Sequence, residues 1–488
     1  MGGRTPNENH YTLLEEGIMK RFIAALLCLA MIIGCLTACS SEEKKDETPT
    51  TAGDTAKTDD SASAGTVTTP APDEKKVINL WSFTDEIPKM VDRYKELNPS
   101  FDYEIKTTII ATTDGAYQPA LDAALAAGGD DAPDMYAAEA AFILKYSQGD
   151  AAGYAAAYKD LGIDVDKMIA DANISGYSVA IGTRPSDNNV VALGYQATGG
   201  CFIYRRSIAK DTWGTDDPTT VQDKIGGGSG SWDKFFAEAE ELTAKGYAIC
   251  SGDGDIWHAV ENSSDKGWIV DGKLYIDPKR EAFLDLSKKL KDNGYHHDTQ
   301  DWQEGWFADM KKNGGVLGFF GPAWLINYTL GQNCGEGDDS SFGDWAVCNS
   351  PIGFFWGGTW VLANKDTKAK NGVAELIKWI TLDCSKTGLQ YYWANGTLNG
   401  EGGTKDSVAS GTVMDMSDGK LDFLGGQNMF DYFVPANAYA NGKNLTQYDE
   451  SINSLWRDAV RAYTGGTVTR EEAIANFKQT VKDSLGIE

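Results

Sequence analysis

Tryptophan placed beside carboxylates is the recurring chemical feature of this 488-residue chain. Trp81-Ser82-Phe83-Thr84-Asp85-Glu86 ends the first apolar run, and Glu139 follows a later one. Trp324 comes just after Gly321-Pro322-Ala323, and Trp356-Gly357-Gly358-Thr359-Trp360 puts a glycine pair beside an indole. Trp456 lies in the C-terminal region. An indole face suits the apolar C–H face of a sugar ring, while carboxylates and amides suit its rim of hydroxyls. The chain holds 14 tryptophans, all after residue 76, more than a core alone requires.

Signals of catalysis are absent by comparison. Of the four histidines, His10, His258, His296 and His297, the adjacent pair in His296-His297-Asp298 points its rings apart. No HExxH or HxxxH spacing accompanies it, so a solvated loop is expected there. No GxSxG elbow, Cys–His signature or kinase motif is present. Ser251-Gly252-Asp253-Gly254-Asp255 faintly resembles a calcium loop, but the twelfth position from Asp253 is Ser264 rather than Glu, and an acidic turn is expected. Gly226-Gly227-Gly228-Ser229-Gly230 lacks the Lys-Ser/Thr of a phosphate-binding loop. The 71 acidic residues single out no carboxylate pair for glycoside hydrolysis. The expectation is a binding site with no catalytic residue, cofactor or metal; a surface glycosidase is the reading from another class.

The N-terminal region says where such a site works. Lys20-Arg21 precedes an apolar run, Phe22 to Leu36, shorter than the ~20 residues of a spanning helix. A basic start, a short apolar segment and a small-residue exit make a secretory signal over residues 19–38, with residues 1–18 a non-native extension ahead of Met19. Leu36-Thr37-Ala38-Cys39 resembles the lipobox of bacterial lipoproteins, which makes Cys39 the acylated mature N-terminus. Residues 39–76 are then a polar, Ser/Thr/Asp/Lys/Pro-rich tether that cannot bury enough apolar surface to fold. Its flexible reach is roughly 35 Å.

The formal net charge is −27, and the first 38 residues do not alter it, because Arg4, Lys20 and Arg21 cancel Glu8, Glu15 and Glu16. Such a field repels phosphates and anionic headgroups. Nucleic acid is excluded as a partner, and membrane association falls to the lipid on Cys39. Five cysteines remain in the body: Cys201, Cys250, Cys334, Cys348 and Cys384. An odd, widely spaced set is no disulfide scaffold; it allows one bridge, such as Cys334 to Cys348, or buried free thiols.

The body beyond residue 76 is long for one core, which predicts two lobes. Strands are expected at Val77 to Ser82, Tyr103 to Ile110 and Pro133 to Ala137, with helices at Asp85 to Leu97, Tyr117 to Ala127 and Glu139 to Tyr146. This alternation is that of a parallel sheet with crossover helices, whose ligands bind at the strands' carboxyl ends. Further strands are expected over 189–196, 200–205, 316–320, 345–349 and 356–363. Helices are expected over 165–181, 278–293, 302–312, 448–463 and 469–485. Thr469 with Glu472 is a capping box.

In order and spacing, INLWSFTDEIPKMVDRYKELNP, APDMYAAEA, ALGYQATGGCFIYRRSIAKD, SWDKFFAEAEELTAKG, GVLGFFGPAWLINY, GGTWVLANKDTKAKNGVAELIKWIT and SINSLWRDAVRAYTGG together resemble the extracellular solute-binding proteins, family 1, of carbohydrate ABC importers. The resemblance covers nearly all of 76–488. It implies an α/β, two-lobed periplasmic-binding-protein type II fold, each lobe a mostly parallel sheet flanked by helices, joined by crossing hinge strands. Lobe 1 would comprise 77–195 and 349–403, and lobe 2 would comprise 196–348 and 404–488. The resemblance also implies a monomer that takes a mono- or oligosaccharide between its lobes and hands it to membrane permease subunits. Motif by motif, it carries ligand contacts to Thr84, Asp85, Glu86, Glu139, Trp324 and Trp456, and adds Trp257 as a stacking ring. The chain departs from maltose-binding relatives at Ala137-Ala138, where some place a Trp, and at Tyr195-Gln196 and Thr198, where those carry an acid; Gln196 becomes the polar hinge candidate. An acidic, aromatic cleft also fits a polyamine or cationic peptide.

Overall fold

The structure is a computed structural model and describes residue 73 and residues 75–112, 115–400 and 402–488. The signal segment, Cys39 and most of the tether lie outside the described residues. Those described belong to one compact unit, Thr66–Glu488.

Eight strands build the two main sheets: β1 (Val77–Ser82), β2 (Glu104–Ile109), β3 (Met135–Glu139), β4 (Ala192–Gly194), β5 (Cys201–Arg205), β6 (Gly318–Gly321), β7 (Trp345–Cys348) and β8 (Thr359–Ala363). The first sheet runs β2-β1-β3-β8-β4. Its β2-β1-β3 half is parallel, and β8 enters antiparallel to both β3 and β4. The second sheet, β6-β5-β7, is antiparallel throughout its regular strands. That departs from a mostly parallel second sheet. Parallel pairing appears there only as single bridges, Ala248 to Val316 and Cys250 to His296, which extend the β6 edge.

Sequence pattern explains these elements. β3, β5 and β7 are almost wholly buried, as expected of strands covered by helices on both faces. Helix α1 (Glu86–Leu97) buries Ile87, Met90, Val91 and Tyr94, one stripe at helical spacing. Helix α2 (Tyr117–Ala127) buries Tyr117, Leu121 and Leu125, spaced four apart. In the second lobe, α3 (Asp253–Ser263), α4 (Pro278–Asn293), α6 (Asp449–Thr464) and α7 (Arg470–Leu485) share one core. The Thr469–Glu472 capping box forms as expected. The expected 165–181 helix is two helices, Val165–Ala172 and Gly176–Gly182, because Asn173 takes φ 48° and ends the first.

Three connections join the lobes, two of them side by side and a third between residue 412 and α6. Residues 195–200 run from β4 to β5, and residues 349–358 run from β7 to β8. They pair with each other through an antiparallel bridge, Gly199 to Phe355. All five body cysteines are free, four of them buried.

Two expected boundaries shift. Asp73, placed in the tether by the sequence, accepts hydrogen bonds from the Asn371 and Gly372 backbone N–H groups at 2.8 and 3.1 Å and from the Tyr103 hydroxyl at 2.6 Å. Its carboxylate therefore caps the start of α5 (Lys370–Ile377). Residues from 404 onward are expected in the second lobe, yet Ala409 bonds to Tyr195, Ser410 Oγ to the Ala172 carbonyl at 2.7 Å, and Thr412 Oγ1 to the Asp171 carbonyl at 3.0 Å. This segment packs on the first lobe because helix Val165–Ala172 ends there with open carbonyls. Asp73→Ala should lower unfolding stability by about 1 kcal/mol, the usual value of a lost cap, read by urea denaturation.

Candidate ligand-binding cleft

The 349–358 connection turns sharply at Gly357 and Gly358, which take φ of 70° and 112°. L-residues seldom adopt these angles. A methyl at Gly357 would come within 3.3 Å of Trp324 and 3.4 Å of Glu139 Oε1. The glycine pair thus lets the backbone pass between an indole and a carboxylate. Three groups hold the turn. The Trp324 indole N–H donates to the Trp356 carbonyl at 3.1 Å, Thr198 Oγ1 donates to the Gly357 carbonyl at 3.1 Å, and the Ala140 N–H donates to the Gly358 carbonyl at 3.1 Å.

Two chambers meet at this turn. The larger, about 440 Å³, is lined by Phe83, Thr84, Glu86, Thr112, Glu139, Phe142, Gln196, Trp302, Trp324, Tyr328, Trp356 and Glu450 among others. The smaller, about 230 Å³, is lined by Glu139, Trp257, His258, Glu261, Trp356, Asp449, Glu450, Asn453, Ser454 and Arg457 among others. Glu139, Trp356, Gly357 and Glu450 line both. A cavity of about 860 Å³ in the first lobe, around Arg184 and Lys365, shares no lining residue with either.

Aromatic rings form one wall. Trp324 lies 4.7 Å from Trp356 and parallel to Trp302 at 6.3 Å between centroids. Tyr328 stands edge-on to both Trp302 and Trp324. The back of Trp356 stacks on the His258 ring at 3.5 Å.

Carboxyl groups form the other side. Glu86 accepts from the Tyr195 hydroxyl, and burial pushes its carboxyl up to about 7. Glu139 is the last residue of β3; its Oε2 accepts from the Ala141 N–H at 2.7 Å. Burial, with Glu450 and Glu261 nearby, pushes Glu139 up to about 8. Burial likewise raises Glu450, which accepts from Gln118 of α2. Glu261 and Asp449 are pushed by burial to about 7 and about 6. Gln196 donates to Asp406 at 3.0 Å, deeper in the first lobe, where burial lifts Asp406 to about 7. Behind the smaller chamber, Arg457 binds Asp253 at 3.1 Å and Asp301 at 3.6 Å. Against the upward push of burial, His258 and Arg457 hold Asp301 at about 2.

Of the residues singled out from sequence, the chambers bring together Thr84, Glu86, Glu139, Gln196, Trp324 and Trp356. Trp257 touches the smaller one, although its ring is 2% exposed and packs on Phe283 at 4.8 Å. Trp81, Asp85 and Trp456 line neither. Trp81 packs against the first-lobe core. Asp85 is exposed and paired with Lys89 at 2.6 Å. Trp456 is core: fully buried, 4.9 Å from Phe477 and 5.8 Å from Trp268. Helical geometry explains it. Ile452, Trp456 and Val460 form the buried stripe of α6, and Glu450, Asn453, Ser454 and Arg457 form the polar stripe that faces the chamber. That polar stripe at helical spacing was the readable signal.

Trp302 was missed as a ligand candidate. The expected 302–312 helix spans only Glu304–Ala308, and Trp302 precedes it at φ 65°, 43% exposed. Asp255 lies not in an acidic turn but in the first turn of α3, where it accepts from the Ser251 and Gly252 N–H groups at 2.8 and 3.0 Å. His296 is buried along a sheet edge rather than solvated. Among the described residues no group of His, Cys, Asp and Glu could hold a metal ion, and no helix is long and apolar enough to cross a membrane.

Two lobes joined by paired crossings around an aromatic, acidic cleft define a solute-binding architecture. The family model for bacterial extracellular solute-binding proteins matches residues 89–415, and the chain belongs to that family. No curated protein matches significantly. Among solved structures, the galacto-N-biose-/lacto-N-biose I-binding protein of an ABC transporter from Bifidobacterium longum, in complex with lacto-N-biose, is 15% identical. It covers 84% of this chain and 97% of its own, with a TM-score of 0.63. The GacH receptor of Streptomyces glaucescens, solved unliganded and with acarbose, is 16% identical, covering 84% and 99%, with a TM-score of 0.61. Maltose-bound MalE3 of T. maritima is 17% identical, covering 84% and 100%, with a TM-score of 0.59.

Two measurements follow from this geometry. Trp456→Ala should destabilise the fold by about 3–5 kcal/mol, the range for a large buried aromatic. Calorimetry should show the loss whether or not ligand is present. The ligand-free protein should also melt lower at pH 8 than at pH 5. Glu86, Glu139, Glu261, Asp255, Asp406 and Asp449 hold protons in the fold that the unfolded chain releases near pH 4. Their contribution is present at low pH and lost as pH rises through their folded values of about 6 to 8. His258 and His296, lowered by burial from 6.5, act in the opposite sense but are outnumbered.

Proposed function

We propose that this protein captures a mono- or oligosaccharide between its lobes and delivers it to the permease of an ABC importer, tethered to the outer face of the cytoplasmic membrane by lipid on Cys39. One observation carries the reading. Trp302, Trp324, Trp356 and Tyr328 gather in a chamber whose polar lining includes Glu86, Glu139, Glu450, Thr84, Thr112 and Gln196. Ring faces and hydrogen-bonding carboxyls within one cavity are the complement of a sugar. The chamber pair falls within the size range of small-molecule sites. Membership of the extracellular solute-binding family supports the transport role, and the saccharides bound by the structural relatives support the ligand class.

In this mechanism the open form captures the sugar, the lobes close at the 195–200 and 349–358 crossings, and the closed form docks on the permease. Lobe 1 comprises β1–β4 and β8 with their helices, and lobe 2 comprises β5–β7 with α3, α4, α6 and α7. The protein acts as a monomer and performs no reaction.

The test is a thermal-shift screen of the purified protein against mono- and oligosaccharides, since a ligand of the native state alone raises the midpoint. For a sugar that does so, Trp324→Ala should weaken binding by more than tenfold while circular dichroism stays unchanged. Unchanged affinity would remove Trp324 from the site, and turnover of the glycan by pure protein would overturn the binding role. Cys39→Ala should release the protein from membranes into the medium and abolish its labelling by a palmitate analogue.

A further inference from the structure

We propose that the bound saccharide carries a basic amine, whose ammonium group is held between Glu139 and Glu450 where the two chambers meet. This rests on the saccharide reading of the cleft and narrows its ligand class.

The first observation is a charge imbalance within a built cavity. Among the described residues, the larger chamber is lined by the carboxyls of Glu86, Glu139 and Glu450 and by no Lys, Arg or His. The smaller adds Glu261 and Asp449, which the buried Arg280 nearby offsets in part. Its one guanidinium, Arg457, is engaged by Asp253 and Asp301, so its charge is already answered behind the wall. A neutral sugar hydroxyl brings one donor to such a site and no charge. An ammonium brings three donors and the charge that buried carboxylates lack.

The second observation concerns His258. It is 9% exposed, lines the smaller chamber, and its Nε2 faces the Asp301 carboxylate at 3.5 Å. Its Nδ1 is buried and has no hydrogen-bond partner among the described residues. Burial lowers the histidine's affinity for a proton, so near neutral pH it is an acceptor awaiting an N–H or O–H donor.

The third is the ring arrangement. Trp356 lines both chambers, and Trp302 and Trp324 flank the larger. Indole faces attract cations as well as C–H groups, most strongly where water is excluded. Glu139 has one oxygen committed to the Ala141 N–H, and its Oε1 lies beside Gly357, at the junction. Burial keeps Glu139 protonated near neutral pH in the empty site. An arriving ammonium favours the carboxylate, so the carboxyl proton passes to solvent on binding.

Titration calorimetry of the purified full chain decides this. The probes are matched di- and trisaccharides of glucosamine, N-acetylglucosamine and glucose, with spermidine as an amine lacking a ring. The expected result is at least tenfold tighter binding of the glucosamine series. That affinity should fall as salt rises, and the heat should vary with buffer ionisation enthalpy at pH 7, reporting proton release. Glu139→Gln should bring the glucosamine and glucose series within about threefold of each other. Glu450→Gln is the second variant, should the first fail to fold. Equal or tighter binding of the neutral series overturns the amine and leaves the saccharide reading intact. Spermidine binding with no saccharide bound overturns both. Failure of every glucosamine probe to bind overturns the amine alone if a neutral sugar binds, and both readings if none does.

Discussion

The cleft depends on how the backbone passes Trp356-Gly357-Gly358. Three successive carbonyls in that turn accept hydrogen bonds from three parts of the molecule: Trp324 of the second lobe, Thr198 of the crossing segment, and Ala140 just after β3 of the first. Buried carbonyls without such partners would each cost roughly 1–3 kcal/mol. The turn therefore fixes the Trp324 and Trp356 rings and the end of β3 together. Only residues without a Cβ can occupy φ of 70° and 112° between an indole and a carboxylate. One local backbone constraint thus sets the position of the ring wall, the depth of Glu139 and the point where the chambers join.

The same placement explains the electrostatics. Glu139 ends a buried strand, Glu86 lies against the Tyr195 hydroxyl, and Glu450 faces inward from α6. Each has lost water and, among the described residues, none forms an ion pair, although Lys89 lies near enough to Glu86 to offset its rise in part. Burial is why their carboxyls rise, Glu86 to about 7 and Glu139 to about 8. Asp301 shows the contrast within the same lobe. It is also buried, but His258 and Arg457 hold it ionised. Binding sites commonly hold such perturbed groups, because pre-formed polar groups that wait for a ligand must be desolvated in advance.

Much of the first lobe was legible in the sequence, because its strands and helices alternate with clean periodicity and its first two helices stop at Asn98 and Gly128. Thr84, Glu86, Glu139, Trp324 and Trp356 were legible for a related reason: each sits at or just beyond the end of an element, where side chains meet across a sheet edge. Trp456 shows the limit. Residue type alone does not say which face of α6 turns inward, and the buried stripe of Ile452, Trp456 and Val460 is as compatible with core as with cleft until α4 and α7 are docked. Trp302 and His258 were illegible because tertiary contacts decide them. One depends on a left-handed backbone step before a short helix, and the other on stacking against a tryptophan about a hundred positions away. The second sheet departs from the mostly parallel one that the family resemblance implies, because β5 pairs antiparallel with both neighbours and parallel pairing is limited to single bridges.

Closure and recognition share a residue, and this couples them. Glu450 on α6 lines both chambers and also accepts a hydrogen bond from Gln118 on α2, across the interface between lobes. Nearby, Gln447 and Asp150 exchange hydrogen bonds at 3.1 Å across the same interface. A solute that bridges Glu139 of the first lobe and Glu450 of the second makes contacts available only when the lobes are together. Its affinity for the closed state then exceeds that for the open one, the single condition under which a ligand can drive a conformational change. Polar latches such as Gln118–Glu450 are individually weak in partly wet surroundings, so they set the register of closure without enforcing it. On the proposed function, the free energy for holding the closed form would fall to the solute, and a permease could then distinguish a loaded protein from an empty one.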